Sequence, residues 1–342
     1  MFAHDTPQFD VQLCTFGGAG GVHSSTLIHR PLLWLYRSRL AGVDDLAMNA
    51  ELKRLFDDQG GVATSAQILR RTSRRSFERE LESGALTKIW YGVYCRGEPD
   101  DYMRLRGLDL WCRAKVPVCL GTAAALHGFD TEEPADLHVL NPPRRQLRPS
   151  DGLVVHRRDG APLVMVDGRR VTSPAWTAVE VARSLQRPRS LATLDAALRS
   201  GKCSRADIWR AAIEQAGRRG IVEVRNLIAL ADPRAESPME SEARLAMIDG
   251  NLPTPELQYE LIDGNGDLRR LDFAWPDHRV AVEYDGVDWH SGPDAMKRDR
   301  RRQAALGDIR WVALAIVFED VRYRPSEFVG RIHAQLRRAQ AV

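Results

Sequence analysis

The stretch 269-RRLDFAWPDHRVAVEYDG-286 decides how the C-terminal third of the chain is read. Leu271, Phe273 and Trp275 alternate with Arg270, Asp272 and Ala274, the period-two pattern of a strand. Further on, Val280, Val282 and Tyr284 alternate with Ala281, Glu283 and Asp285. If Pro276 to Arg279 form the loop, Trp275 faces Val280 and Asp272 lies across from Glu283, with Cβ atoms about 5 Å apart. Two like charges so placed destabilise a sheet, more so when partly desolvated. A cation between them, or a proton kept by one acid, relieves this. A hard divalent ion, Mg2+ or Mn2+, takes carboxylate oxygens, a backbone carbonyl and waters, and the carbonyl of Tyr284 is the nearest main-chain candidate. Such an ion lowers the pKa of a bound water and stabilises charge on a phosphodiester. The competing reading is ionic: Asp272 and Asp285 pair with Arg269 or Arg270, leaving a surface hairpin. Spacing alone does not separate the two.

The neighbourhood favours the phosphodiester reading. His290, in DGVDWHSG, is placed to hold or shuttle a proton near neutral pH. The run AMKRDRRRQAALG predicts a cationic helix whose Lys297, Arg298, Arg300, Arg301 and Arg302 can meet backbone phosphates. IRWVALAIVFEDV reads as a buried strand and FVGRIHAQLRRA as the final helix. Upstream, Ser237 caps a helix with Pro238 at its first position, and NLPTPELQYEL leads into a strand.

Towards the N-terminus, residues 48–97 carry the pattern of a winged helix-turn-helix. Leu52, Leu55 and Phe56 share one helix face, Gly60-Gly61 stops it, Thr64 or Ser65 caps a second helix, and Ser73 caps a third. LTKIWYGVYCRG then forms two strands around Tyr91-Gly92, a wing. In such a fold the third helix enters the major groove, and here it carries Arg74, Arg75 and Arg79, with Lys88 leading into the wing. Residues 98–232 alternate strands (DLHVLN, GLVVHRR, PLVMVDGRRVTS) with amphipathic helices, and hold no catalytic constellation. His127, His138 and His156 fall there on unrelated elements, without ligand spacing.

Composition bounds the rest. The 342 residues suit two or three domains, 44% are hydrophobic and 28% charged, and a net charge of +3 leaves the nature of any partner undecided. Five cysteines at irregular spacing, with no C-x-x-C pair, argue against a disulfide framework or thiolate zinc site and for a reducing cytoplasm. No apolar run approaches the roughly 20 residues of a membrane helix. Residues 1–47 lack both a signal-peptide order and an amphipathic period, so they read as a non-native or disordered extension, with Met48 as the natural start.

Two family resemblances attach to these residues. ALTKIWYGVYCRG, LGTAAALHGF, VTSPAWTAVEVAR and LDAALRSG resemble the AbiEi family of type IV antitoxins over about residues 50–232. This likeness implies a DNA-binding winged helix that autoregulates a two-gene operon, an antitoxin-type domain after it, and a cognate toxin as partner. ESPMESEARL, RRLDFAWPDHRVAVEYDG, DWH and RDRRRQAAL resemble the domain of unknown function 559, akin to the very-short-patch-repair endonucleases, over about residues 236–335. That likeness implies a restriction-endonuclease-like mixed sheet with flanking helices, a repair partner and Mg2+. Its first-strand acid matches Asp272, its second-strand acid Glu283, its helix acid Glu240 and its carbonyl-bearing residue Tyr284. Asp285 and His290 match the two histidines of the repair enzymes. The general nuclease motif has a lysine where Asp285 stands, so His290, the metal or an arginine would have to supply that charge.

The expectation is therefore an α/β multidomain protein: a winged helix at 48–97, an α+β antitoxin-type domain at 98–232 and a nuclease-fold domain at 233–342. Its expected activity is metal-dependent cleavage of DNA. An antitoxin-like transcription regulator whose last domain does not cut is the alternative, and a protein-interaction module without nucleic acid is a third reading.

Overall fold

In a computed structural model the described residues are 49–129, 136–142, 146–157, 160–286 and 293–340, so the expected extension, Trp289 and His290 all lie outside them. The Asn49 side chain accepts the Glu51 N–H and starts α1 (Ala50–Asp58). There follow β1 (Val62–Thr64), α2 (Ser65–Leu69), α3 (Arg74–Glu82), β2 (Leu86–Trp90) and β3 (Val93–Arg96). Of the two cap candidates for α2 it is Thr64 that acts, in a reciprocal capping box with Gln67, and Ser73 caps α3. The strands form an antiparallel sheet in the order β1-β3-β2. Leu52, Leu55, Phe56, Ala63, Ile68, Phe77 and Leu86 close its core. Strand β1, three residues long, is too short to show a period in the sequence.

The middle of the chain holds α4 (Asp101–Cys112), α5 (Leu120–His127), β4 (Leu137–Leu140), β5 (Leu153–His156), β6 (Leu163–Val166) and β7 (Arg169–Thr172). Four helices follow: α6 (Pro174–Ala182), α7 (Arg187–Arg199), α8 (Arg205–Glu214) and α9 (Ile221–Leu230). The β6–β7 hairpin pairs Val166 with Arg169, and Asp167 (φ +49°) and Gly168 (φ +71°) both adopt the left-handed backbone that a two-residue turn requires. Helix α4 was not read from the sequence, because its buried side includes an acid. Asp109 receives two hydrogen bonds from the Arg169 guanidinium, at 2.8 and 2.5 Å, and Arg169 also donates to the Val116 carbonyl. This buried pair ties α4 to β7.

The C-terminal part comprises α10 (Pro238–Asp249), β8 (Glu256–Ile262), β9 (Leu268–Trp275), β10 (Val280–Tyr284), α11 (Pro293–Asp308), β11 (Val312–Ile316), α12 (Phe318–Tyr323) and α13 (Pro325–Gln340). Its sheet runs β11-β10-β9-β8, with β10 and β11 parallel and the other neighbours antiparallel. The expected buried strand IRWVALAIVFEDV needs correction. Only Val312–Ile316 is strand, it lies on the sheet edge with Val312 exposed, and Phe318 already belongs to α12.

Helix α10 joins two cores. Leu245 packs among the middle helices, while Ala243 and Met247 pack under the C-terminal sheet. Between them Arg244 reaches Asp195 of α7 at 2.6 Å and the Leu230 carbonyl at 2.6 Å. The helix that follows the expected boundary near 232 is thus part of both cores. Among the described residues no helix is long and apolar enough to cross a membrane.

Candidate functional site: an acid cluster where the sheet opens

The β9–β10 ladder pairs Trp275 with Val280, Ala274 with Ala281 and Phe273 with Val282. This is the register read from the sequence, and it stops one pair short of Asp272 and Glu283. There the strands part, and the Asp272 carboxylate accepts the Tyr284 N–H at 2.8 Å in place of a main-chain partner. The N–H and C=O of a strand residue lie on the same edge. The Tyr284 carbonyl therefore faces the same opening. Val282 and Phe273 are buried just behind it.

Glu240 reaches the opening from the first turn of α10. Ser237 caps that helix by accepting the Glu240 N–H, and the cap fixes where the Glu240 side chain leaves the helix. Glu240 is 8% exposed, and its Oε2 accepts both the Glu236 N–H at 2.9 Å and the Gln258 amide N–H at 3.0 Å. Burial pushes its carboxyl up to about 7; the Glu236 N–H opposes this and the nearby Asp272 charge adds to it. Burial raises Asp272 as well, against the Tyr284 N–H and Arg302. Glu283 is raised chiefly by burial, opposed by Arg302 and reinforced by Asp272. Asp272 thus lies within electrostatic reach of both Glu240 and Glu283 in a poorly solvated place.

The ionic alternative for this hairpin does not describe what forms. Arg269 pairs with Asp263 at 2.6 Å and Asp267 at 2.9 Å, and Arg270 pairs with Glu236 at 2.7 Å. Glu283 is met by Arg302 of α11 at 2.6 Å. Arg302, grouped from sequence with the phosphate-contacting arginines, is thus turned inward, and among the described residues its buried Nε has no hydrogen-bond partner. Asp285, in the position of the motif lysine, is exposed at the end of β10. Among the described residues no three His, Cys, Asp or Glu side chains converge as they would around a metal ion. The oxygen-rich donor set suits a hard divalent cation that keeps several waters, for which one or two carboxylates suffice.

Sequence reasoning missed Gln258. Its signal lies only in the register: β8 pairs Leu257 with Phe273 and Tyr259 with Leu271, which sets Gln258 opposite Asp272.

The cationic residues expected to meet nucleic acid divide by position. Arg74, Arg75 and Arg79 are exposed on α3, with Arg74 3.0 Å from Glu78 and Arg79 bonded to the Ser76 hydroxyl. Lys88 is exposed on β2, 5.9 Å from the Tyr91 ring centre. Lys297, Arg300 and Arg301 are exposed on α11, and the Arg298 side chain lies outside the described set. In the middle segment, His138 Nδ1 and His156 Nε2 are 2.9 Å apart in stacked rings, so these histidines, unrelated in sequence, satisfy each other. His127 is buried against the Thr172 carbonyl at 2.7 Å, a structural histidine.

Two uncharacterized proteins of Mycobacterium tuberculosis, from strains CDC 1551 and H37Rv, are each 53% identical to this chain over 268 residues. The matched region covers 78% of this chain and 98% of theirs. The chain belongs to their family. Residues 116–230 further match the AbiEi antitoxin C-terminal domain. That antitoxin domain spans α5 to α9 with the strands β4 to β7, and the Arg244–Asp195 pair fastens α10 to it. The acid cluster lies C-terminal to the antitoxin match, on α10 and the four-stranded sheet.

Proposed function

We propose that this protein is an AbiEi-type antitoxin that binds DNA and regulates transcription, with residues 48–97 acting as a winged helix. The observation that carries the reading is the antitoxin-domain match at 116–230, preceded by a helical unit whose α3 exposes three arginines beside a short hairpin. Helix α3 would lie in the major groove, with the β2–β3 hairpin along the backbone. The partners that follow are operator DNA and a cognate toxin. The test is a gel shift of purified protein on the DNA upstream of its own gene, repeated at rising salt. Affinity falling steeply with salt, and footprint protection of a discrete site, supports the reading. Salt-independent or absent binding sinks it, and favours a module that pairs proteins only.

A second reading rests on a separate observation: three desolvated acids gathered where β9 and β10 part. In it, residues 233–342 form a restriction-endonuclease-like domain that cleaves DNA. Asp272, Glu283 and Glu240, with the Tyr284 carbonyl, would hold Mg2+ or Mn2+. The bound ion would lower the pKa of a water and stabilise charge on the phosphodiester. Arg302 would supply the positive charge that Asp285 does not, while His290 would carry protons and Asp285 assist. Lys297, Arg298, Arg300 and Arg301 would hold the backbone. Incubating supercoiled plasmid with the protein under Mg2+, Mn2+ or chelator, beside an Asp272→Ala, Glu283→Ala variant, decides it. Metal-dependent cutting lost in the variant supports a nuclease. Intact DNA throughout leaves the regulator reading alone.

A further inference from the structure

Gln258 departs from the strand it belongs to. Its φ is +53°, a left-handed value that costs a non-glycine residue roughly 1 kcal/mol and has no place in a regular strand. The β8–β9 ladder is regular on both sides, at Leu257–Phe273 and Tyr259–Leu271, and skips the Gln258–Asp272 pair between them. The irregularity thus falls opposite the acid at which the β9–β10 ladder also ends. Two ladders give way around one residue, Asp272.

What the kink achieves is visible in the amide. Its Nε2 donates to Glu240 Oε2 at 3.0 Å, the orientation that an ionised Glu240 requires, since a carboxylate can only accept from it. Among the described residues no donor reaches the amide's buried carbonyl oxygen. A buried carbonyl without a partner forfeits about 1–3 kcal/mol of desolvation. Backbone strain and an orphaned acceptor in one residue, between two acids, form an uncommon combination. A cation satisfies the orphan and the acids together. Glu283 is already engaged by Arg302, so the least neutralised side of the opening is the one that Glu240, Gln258 and Asp272 share.

We infer that Gln258 Oε1 is a ligand for a hard divalent cation seated between Glu240 and Asp272, and that the kink in β8 exists to aim it there. This rests on the reading of the acid cluster as a cation site. It moves the seat from the Asp272–Glu283 pair to the α10 side of Asp272. An amide oxygen adds a neutral donor, so the seat needs no third carboxylate.

The test is Mn2+ binding by the full chain, followed by titration calorimetry and the electron paramagnetic resonance of free Mn2+. Gln258→Gly suits a φ of +53° and so keeps the fold while removing the amide. It is expected to weaken Mn2+ roughly 10-fold or more. Gln258→Glu places an ionised oxygen at the same reach and is expected to tighten Mn2+. Opposite changes in the two variants, with unchanged circular dichroism, establish the ligand. Equal Mn2+ affinity in wild type and Gln258→Gly overturns the role of Gln258 while leaving the cation site standing. No Mn2+ binding by wild type, with Asp272→Asn identical to it, overturns the cation site itself.

Discussion

Replacing Glu240 by glutamine should make the protein more stable at pH 8 and leave it nearly unchanged at pH 5. The Glu240 carboxyl titrates at about 7 in the fold against an ordinary 4.5. A carboxyl raised on folding supports the fold fully below its unfolded pKa, and that support is lost as pH rises through the folded value. Between pH 4.5 and about 7 the unfolded chain has released a proton that the fold retains, so wild-type stability declines across that window. At about 1.4 kcal/mol per pKa unit the loss is on the order of 3 kcal/mol, complete by pH 8. Glutamine removes this slope and keeps the local bonds, because both donors to Glu240, the Glu236 N–H and the Gln258 amide, meet the single oxygen Oε2. One amide oxygen can take both. The assay is thermal denaturation of wild type and Glu240→Gln at pH 5, 6, 7 and 8 in chelator. At about 2 °C per kcal/mol for a unit of this size, the difference in Tm should grow by about 6 °C from pH 5 to pH 8. A difference that stays flat with pH would refute the desolvated-acid account of this site.

Other outcomes follow from the same geometry. Asp109→Ala leaves the Arg169 guanidinium buried beneath β7 without its carboxylate, and should cost about 3–5 kcal/mol. Denaturant unfolding measures that loss, and Asp109→Ala with Arg169→Met should recover part of it. Arg75→Ala, on the exposed face of α3, should lower DNA affinity at every sequence and reduce the slope of log K against log salt by about one. An unchanged slope would take α3 off the DNA backbone. Burial pushes the thiols of Cys95 and Cys203 up to about 12, so both should resist aromatic disulfide reagents at pH 8 until the protein is unfolded. Rapid labelling of either in the native state would contradict the packing around it.

Much of the local architecture was legible in the sequence. The period-two alternation of 271–275 and 280–284 set the hairpin register, and the observed pairs Trp275–Val280 and Phe273–Val282 follow it. Ser73 and Ser237 cap the helices assigned to them. Such features depend on a few consecutive residues, whose steric and hydrogen-bonding preferences do not wait for the rest of the chain. Helix α4 escaped because a buried acid on its inner side disguises the apolar face, and that acid is tolerable only because Arg169 arrives from sixty residues away.

The tertiary structure alone decided which cation answers which acid. From the sequence, Arg269 and Arg270 were the natural partners for Asp272, being nearest along the chain. In the fold they are drawn off by Asp263, Asp267 and Glu236, and the charge beside Glu283 comes from Arg302 on a later helix. Ion pairing is long-ranged and exchangeable, so among many arginines the choice falls to whichever elements packing brings together. The kink at Gln258 is of the same kind. Nothing in the run PELQYEL calls for a left-handed residue, and its conformation has meaning only beside Asp272 from β9 and Glu240 from α10. The sequence determined that two acids would stand at the end of a hairpin. The packing of α10 and α11 against that hairpin determined how they are desolvated, which side Arg302 neutralises and where an oxygen is left without a partner.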